Sequence, residues 1–342
     1  MSGWQLEWPV PGGKPEASAH LKHYPGDFRV TELLDTGGPL KELETQQSLT
    51  VPGQGEHLLI YLEKTGDNTP WVARRLGELA GCGDSGVGYS GLKDRHAVTR
   101  QWFSVQRPGM EAEDEAFIRT LQSHWPVLAV ARRGRKLRRG EHHGNHFDIR
   151  LRALTGDPTI LEQRLNMVSR QGCPNYFGLQ RFGHHGSNLD RAVAMAERPV
   201  RRRRGRKSVG GRDGLYFSAA RSWLFNQVLA ERVNQENWLQ RLDGEPDEVP
   251  TGPLWGDGGT VAGGAQGMLE REVVARSPAV EAVFASTRMA PERRPLILMP
   301  SDLAWSLSEQ EGDRFLDLSF TLAPGQYATT MLSSVVTLLS GS

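Results

Sequence analysis

The last strongly patterned segment of the chain sets Leu316, Leu318, Phe320 and Leu322 against Asp317, Ser319 and Thr321, the period of two that marks a half-buried strand. A strand needs partners, and the segments of like character lie far away in the first half. Asp27 to Leu34 and Glu56 to Glu63 alternate in the same manner, and QWFSVQ from Gln101 and Val127 to Arg132 read as extended. Phe147, Ile149 and Leu151 alternate with Asp148, Arg150 and Arg152. Between them and the final strand the pattern is mainly helical. The simplest solution is a sheet assembled from both ends of the chain around an inserted domain. The predicted class is α+β, with a largely antiparallel mixed sheet in one domain and an inserted mixed α/β domain. The expected division is 1–170 for the first part of the sheet domain, 171–298 for the insertion and 299–342 for the completing segment.

Several helices are marked by their ends. Asn68 or Thr69 caps one that has Pro70 in its first turn, Val72, Leu76 and Leu79 at helical spacing, and Gly81 as its stop. Glu113 to His124 reads as another. Asp157 and Pro158 open a third, carrying Ile160, Leu161, Leu165 and Val168 and closed by Gly172. Ser218 to about Val233 forms a long fourth. Leu242 to about Gly267, dominated by Gly, Pro and Asp, reads as irregular structure, and APGQYATT turns the chain into an apolar terminal helix.

With 342 residues, 38% apolar and 24% charged, the composition is that of a globular protein and excludes collagen-like and disordered chains. No apolar run approaches the roughly 20 residues that cross a bilayer, and MSGWQLEWPV lacks the basic flank and apolar stretch of an export signal. Cys82 and Cys173 stand far apart in no metal-ligand spacing. A reducing cytoplasm is therefore the expected location, with no membrane attachment and a monomer as the expected state.

The net charge of +1 hides a separation. Lys93 to Arg139 holds 11 basic and 5 acidic residues, and Arg198 to Arg221 holds 9 and 1, whereas Glu236 to Asp317 holds 7 and 15. Such a division creates a positive face suited to a polyanion such as nucleic acid. Two runs concentrate it. Arg132, Arg133, Arg138 and Arg139 belong to one, and Arg201, Arg202, Arg203 and Arg204 to the other. Lying on either side of the expected domain boundary, they are read as phosphate contacts across an RNA cleft.

Three motifs compete to carry chemistry. Gly86, Gly88 and Gly91 spell G-x-G-x-x-G, but a helix precedes them and a strand follows, the reverse of a dinucleotide fingerprint. Glu141, His142, His143, His146 and Asp148 could ligate a metal only if the imidazoles shared a helix face, and Gly140 and Gly144 break a helix, so no metal is expected. The third, GLKDRHAVTRQ, places Asp94 between Lys93 and Arg95. It can be an exposed polar turn. It can also hold a nucleophilic carboxylate kept ionised by a neighbouring cation. Adjacent side chains diverge, so Lys93 and Arg95 cannot both pair with Asp94, and a distant basic partner is equally open.

At this point the chain resembles the tRNA pseudouridine synthase D family. The resemblance rests on GLKDRHAVTRQ, KLRRGEHHGNHF, PNYFGLQRFG and SAARSWLFNQ, with weaker matches at LKHYPGDFRVTE and PGQYAT, in the family's order over nearly the whole chain. It implies a pseudouridine-synthase-like catalytic domain that isomerises the uridine at tRNA position 13 without a cofactor, tRNA being the partner. Asp94 is implied as the essential carboxylate, attacking ribose C1′ or uracil C6 or assisting elimination at the sugar. Phe147 is similar to the ring that lies against the target base, Phe28 and Tyr327 look like further base contacts, and Asn145 like a base-edge or phosphate contact. Lys22 falls in the same segment as Phe28 and is implied as a substrate contact. Two rivals remain: a noncatalytic RNA-binding module, which shares the charge pattern but has no need of Asp94, and a nicotinamide or flavin enzyme built on the glycine triplet.

Overall fold

The computed structural model describes residues 3–38, 41–42, 51–196, 212–286 and 289–339. The chain divides into two compact units, each drawn from segments distant in sequence. The first takes residues 18–155, 300–325 and the last few from 338; the second takes 1–17, 156–299 and 326–337.

In the first unit, nine strands of the described residues form one sheet. They are β1 (Phe28–Leu33), β2 (Lys41–Glu42), β3 (His57–Lys64), β4 (Val87–Tyr89), β5 (Val98–Gln106), β6 (Val127–Arg133), β7 (Gly144–Leu151), β8 (Ser301–Gln310) and β9 (Asp313–Leu322). Their order is β8–β9–β7–β1–β5–β3–β6–β2, and β4 also pairs with β5. Every pair is antiparallel except β1 with β5. The late hairpin enters through β9, whose Leu316 to Leu322 runs opposite Leu151 to Asn145 of β7. This is the completion from both ends that the alternation of residues 316–322 required.

Register decides what each face carries. Phe28, Val30 and Glu32 of β1 stand opposite Ile149, Phe147 and Asn145 of β7. These in turn face Leu318, Phe320 and Leu322 of β9. Antiparallel partners project to the same side, so one face carries an apolar field that ends in two polar residues, Glu32 and Asn145. At the centre, β3 is covered on both sides. Leu58, Ile60 and Leu62 pack with Val72 and Leu76 of α1 (Thr69–Ala80) and Ile118 and Leu121 of α2 (Asp114–Gln122). Leu59 and Tyr61 pack with Trp102, Ala129, Ala131 and Leu137. A central strand with no solvent side is why HLLIYLEK reads as an apolar run more than as a strict alternation.

Two glycines of the triplet, Gly86 and Gly88, are packing positions. A Cβ on Gly88 would sit 2.3 Å from the Leu137 carbonyl oxygen and 2.7 Å from Ser104 Oγ, and one on Gly86 would lie 2.6 Å from Cys82 Sγ. These positions need glycine for close approach within the protein, which removes the sequence ground for the dinucleotide reading.

The second unit is mainly helical, with Pro158–Gln171, Ser187–Ala196, Arg212–Asn234 and Gly264–Ala275 as its longer helices. Its core gathers Phe182, Leu189, Trp223, Phe225, Leu229, Val274, Phe284 and Leu296. The division falls at 155/156, before the helix Pro158–Gln171, and not after it. Arg164 of that helix donates to the carbonyls of Gly12 and Gly13 at 3.0 and 2.9 Å, within the same unit. The stretch read as irregular contains the strand Thr251–Leu254, paired with Glu292–Pro295. Beside it Arg232, fully buried, bonds Glu245 at 2.7 Å and Asn237 Oδ1 at 2.8 Å. Order here comes from buried polar bonds, which leave no apolar periodicity to read. The terminal helix is only Ala328–Ser333, followed by the strand Thr337–Leu339. β-branched residues in VVTLL favour that ending. Among the described residues, no helix is long and apolar enough to cross a membrane.

Candidate active site

Asp94 lies in the loop between β4 and β5. One carboxylate oxygen is ion-paired with Lys22 Nζ, and the other accepts the His96 backbone N–H at 3.0 Å. The distant cation is the partner. Lys93 turns away to Glu32, Nζ to Oε2 2.5 Å, and Arg95 Nε lies against its own neighbour His96 at 3.1 Å. Burial pushes the Asp94 carboxyl up, but hydrogen bonds from Lys22 and the His96 amide, with the charge of Lys22, more than offset it and hold it below the usual carboxylate range. A third of the Asp94 side chain remains exposed. The carboxylate is thus both ionised and reachable. Lys22 itself has a left-handed backbone, φ 60°, uncommon outside glycine, and its ammonium stands 4.3 Å from the Phe28 ring centroid.

The loop is tied down on several sides. Asn68 caps α1 by accepting the Trp71 N–H at 2.9 Å, which releases the hydroxyl of Thr69, the other candidate cap, for a different task. Thr69 Oγ1 accepts the Lys93 backbone N–H at 3.0 Å and donates to Gln101 Oε1 at 3.0 Å; Gln101 Nε2 donates to the Gly91 carbonyl at 2.6 Å. Glu32 Oε1 accepts the Trp102 N–H at 3.2 Å. Burial lowers the Lys64 ammonium to about 8 against the pull of Asp67, and burial followed by the charge of Lys93 lowers the His142 imidazole to about 4. From the sequence, Glu32, Lys64 and Gln101 were given no part in a site, and Asn68, Thr69, Lys93 and His142 were named for other reasons. The available signal was Glu32 itself, a charge on the apolar side of the Phe28, Val30, Glu32 alternation.

Phe28 and Phe147 meet edge to face with centroids 6.0 Å apart, and Phe147 stacks on Phe320 at 5.4 Å. Lys22 joins this aromatic row to Asp94. Asn145 is on the same face, opposite Glu32, and its Oδ1 is buried without a hydrogen-bond partner among the described residues. Gly144 before it is required: a Cβ there would stand 2.7 Å from the Leu322 carbonyl oxygen. Phe28, Phe147 and Asn145 therefore lie along one sheet face, and Lys22 meets both Asp94 and the Phe28 end of it. Tyr327 belongs to the other unit, where its ring lies 6.4 Å from that of Phe177.

The arginines part company. Arg132 is a correction to the sequence reading. Its side chain is 2% exposed, it holds both oxygens of Asp114 at 2.6 and 2.9 Å, and it bonds the carbonyls of Gly55 and Arg107. A guanidinium so buried and so bonded is closed to a phosphate. Arg133 is half-buried against Glu141 at 2.6 Å. Arg138 and Arg139 are exposed, Arg139 lying over the Tyr89 ring at 4.2 Å. Arg201, Arg202, Arg203 and Arg204 lie outside the described residues.

Asp94 is thus a partly exposed carboxylate joined through Lys22 to the edge of a buried aromatic row. Residues 13–192 match the family model described as tRNA pseudouridine synthase D (TruD). Along its length the chain is 52% identical to a tRNA pseudouridine synthase D of Marinobacter nauticus, covering 98% of this chain and 95% of the relative. It is 42% identical to the protein of that description from Cellvibrio japonicus, covering 99% and 95%. In fold it is similar to a crystal structure from Methanosarcina mazei described as a candidate TruD, with a TM-score of 0.68 at 18% identity over 98% of this chain and 96% of that one. The chain belongs to the tRNA pseudouridine synthase D family, a family of isomerases.

Proposed function

We propose that this isomerase converts uridine to pseudouridine at position 13 of tRNA, with Asp94 as the catalytic carboxylate. The reaction breaks the bond from ribose C1′ to uracil N1, turns the freed base and joins C1′ to C5, with no net redox change. Whether the carboxylate attacks C1′ or C6 or assists elimination at the sugar, it must be ionised and within reach of the nucleoside. The observation that carries this reading is the Asp94 carboxylate itself, held charged by Lys22 and the His96 amide yet a third exposed.

A base within a folded RNA must leave its stack to reach such a group, and it must be held while detached. Phe147, packed with Phe28 and Phe320, is the ring assigned to that purpose. Asn145 Oδ1, buried and unpartnered among the described residues, is an acceptor available to a base edge or a ligand N–H. Lys22 stands where it can balance charge on Asp94 through the reaction. Arg138 and Arg139, with Arg201 to Arg204, serve phosphate binding, and no cofactor is needed.

Asp94→Asn tests the assignment. Conversion of a tRNA transcript should fall by about 10⁴-fold or more, while tRNA affinity stays within about threefold of wild type. Pseudouridine formed at the wild-type rate by this variant would remove Asp94 from the chemistry and favour the RNA-binding module.

A further inference from the structure

We propose that the buried Glu32–Lys93 ion pair is a positioning device that sets where the Asp94 carboxylate stands, and that catalysis depends on it more than folding does. The inference rests on the reading of Asp94 given above. Lys93 precedes Asp94 directly in the chain. Its side chain is 5% exposed and that of Glu32 is 0% exposed. Both Glu32 oxygens are used, one by Lys93 and one by the Trp102 N–H.

The surrounding bonds show what the pair aligns. Glu32 is on β1, Trp102 and Gln101 on β5, and Thr69 at the start of α1. Lys93 is thereby gripped twice, through its ammonium by Glu32 and through its backbone N–H by Thr69, while Gln101 grips the Gly91 carbonyl. Three elements of the scaffold converge on the residues just before Asp94. Asp94's own bonds, to Lys22 and the His96 amide, then fix only the last rotation of its side chain.

Energetics point the same way. Burying two charges costs about as much solvation as their attraction returns, so such a pair is weak as a stability device but strong as a fixer of one arrangement. Matched removal of both charges is accordingly tolerated far better than removal of one, which separates position from stability. A carboxylate displaced by about 1 Å from its reacting atom can lose about 100-fold in rate without loss of substrate affinity.

The test is the double variant Glu32→Gln/Lys93→Met, compared with each single variant and with Asp94→Asn. The expected result is a double variant that melts closer to wild type than either single one. Its kcat on tRNA transcript should be lowered by about 100-fold and its KM unchanged within about threefold. A stable double variant with wild-type kcat overturns the proposal. If the double variant does not fold, Glu32→Asp decides: it keeps both charges but draws Lys93 back by one methylene. A folded Glu32→Asp enzyme with reduced kcat and unchanged KM supports the device, and one with wild-type kcat rejects it. Asp94→Asn separates the two readings. Activity in that variant sinks the assignment of Asp94, whereas an inactive Asp94→Asn beside a fully active double variant sinks only the positioning role.

Discussion

Two carboxylates in the sheet unit are built from the same ingredients and put to different uses. Asp114, at the start of α2, is buried, and it receives Arg107 Nε at 3.2 Å and Arg132 through Nε at 2.6 Å and Nη2 at 2.9 Å. Arg107 also lies over the Phe117 ring at 4.2 Å. Asp94 has one ammonium and one backbone N–H as partners, and a third of its side chain faces solvent. The first arrangement is closed, with both oxygens held by guanidinium forks that fasten α2 to β6. The second is open, because a single flexible lysine leaves room for a substrate atom to approach. Pairing with a cation is common to both carboxylates; open approach belongs to Asp94 alone of the two.

The sharpest way to break this contrast is to neutralise each carboxylate in turn. Asp94→Asn abolishes turnover as set out above, yet should change unfolding free energy by no more than about 1 kcal/mol, as for a partly exposed ion pair. Asp114→Asn should do the reverse. It leaves buried Arg107 without its carboxylate and Arg132 with only the exposed Glu111, at a cost of about 3–5 kcal/mol, while kcat per folded molecule stays at the wild-type value. Denaturant titration and a pseudouridine assay on the two variants read both effects. Equal stability losses would erase the distinction.

A finer prediction concerns Lys22. Asp94 is held below the usual carboxylate range by bonds that oppose its burial, so activity should persist into mild acid and fail only as Asp94 takes up a proton. Lys22→Met removes the largest opposing cause and leaves burial dominant. The acid limb of kcat/KM should then move to higher pH. A profile that does not move would mean that Lys22 does not set the charge of Asp94.

The smallest effects belong to the surface arginines. Arg138→Ala and Arg139→Ala should each weaken tRNA binding modestly and reduce the slope of log affinity against log salt by about 1, with kcat untouched. A slope identical to wild type in both variants would exclude them from the phosphate contacts.

Much of this was legible in the residues. Leu316, Leu318, Phe320 and Leu322 announce a strand that needs partners from the far end of the chain, because side chains on a sheet alternate whatever the strand pairs with. Asn68, Pro70 and Gly81 mark α1 because helix ends leave backbone groups that only certain residues satisfy. Asp94 was legible as a candidate through its resemblance to the family motif. Arg132 was not: a run of arginines looks the same whether its members reach solvent or a buried aspartate.

By itself the sequence determined which segments alternate and which helices start and stop, since these depend on neighbours a few residues apart. Only the tertiary structure decided the partners. Lys22 and Asp94 are 72 positions apart and Glu32 and Lys93 are 61 apart. No local periodicity encodes which distant charge a buried side chain meets, because the choice is made by strand register and by which face of the sheet is closed to water.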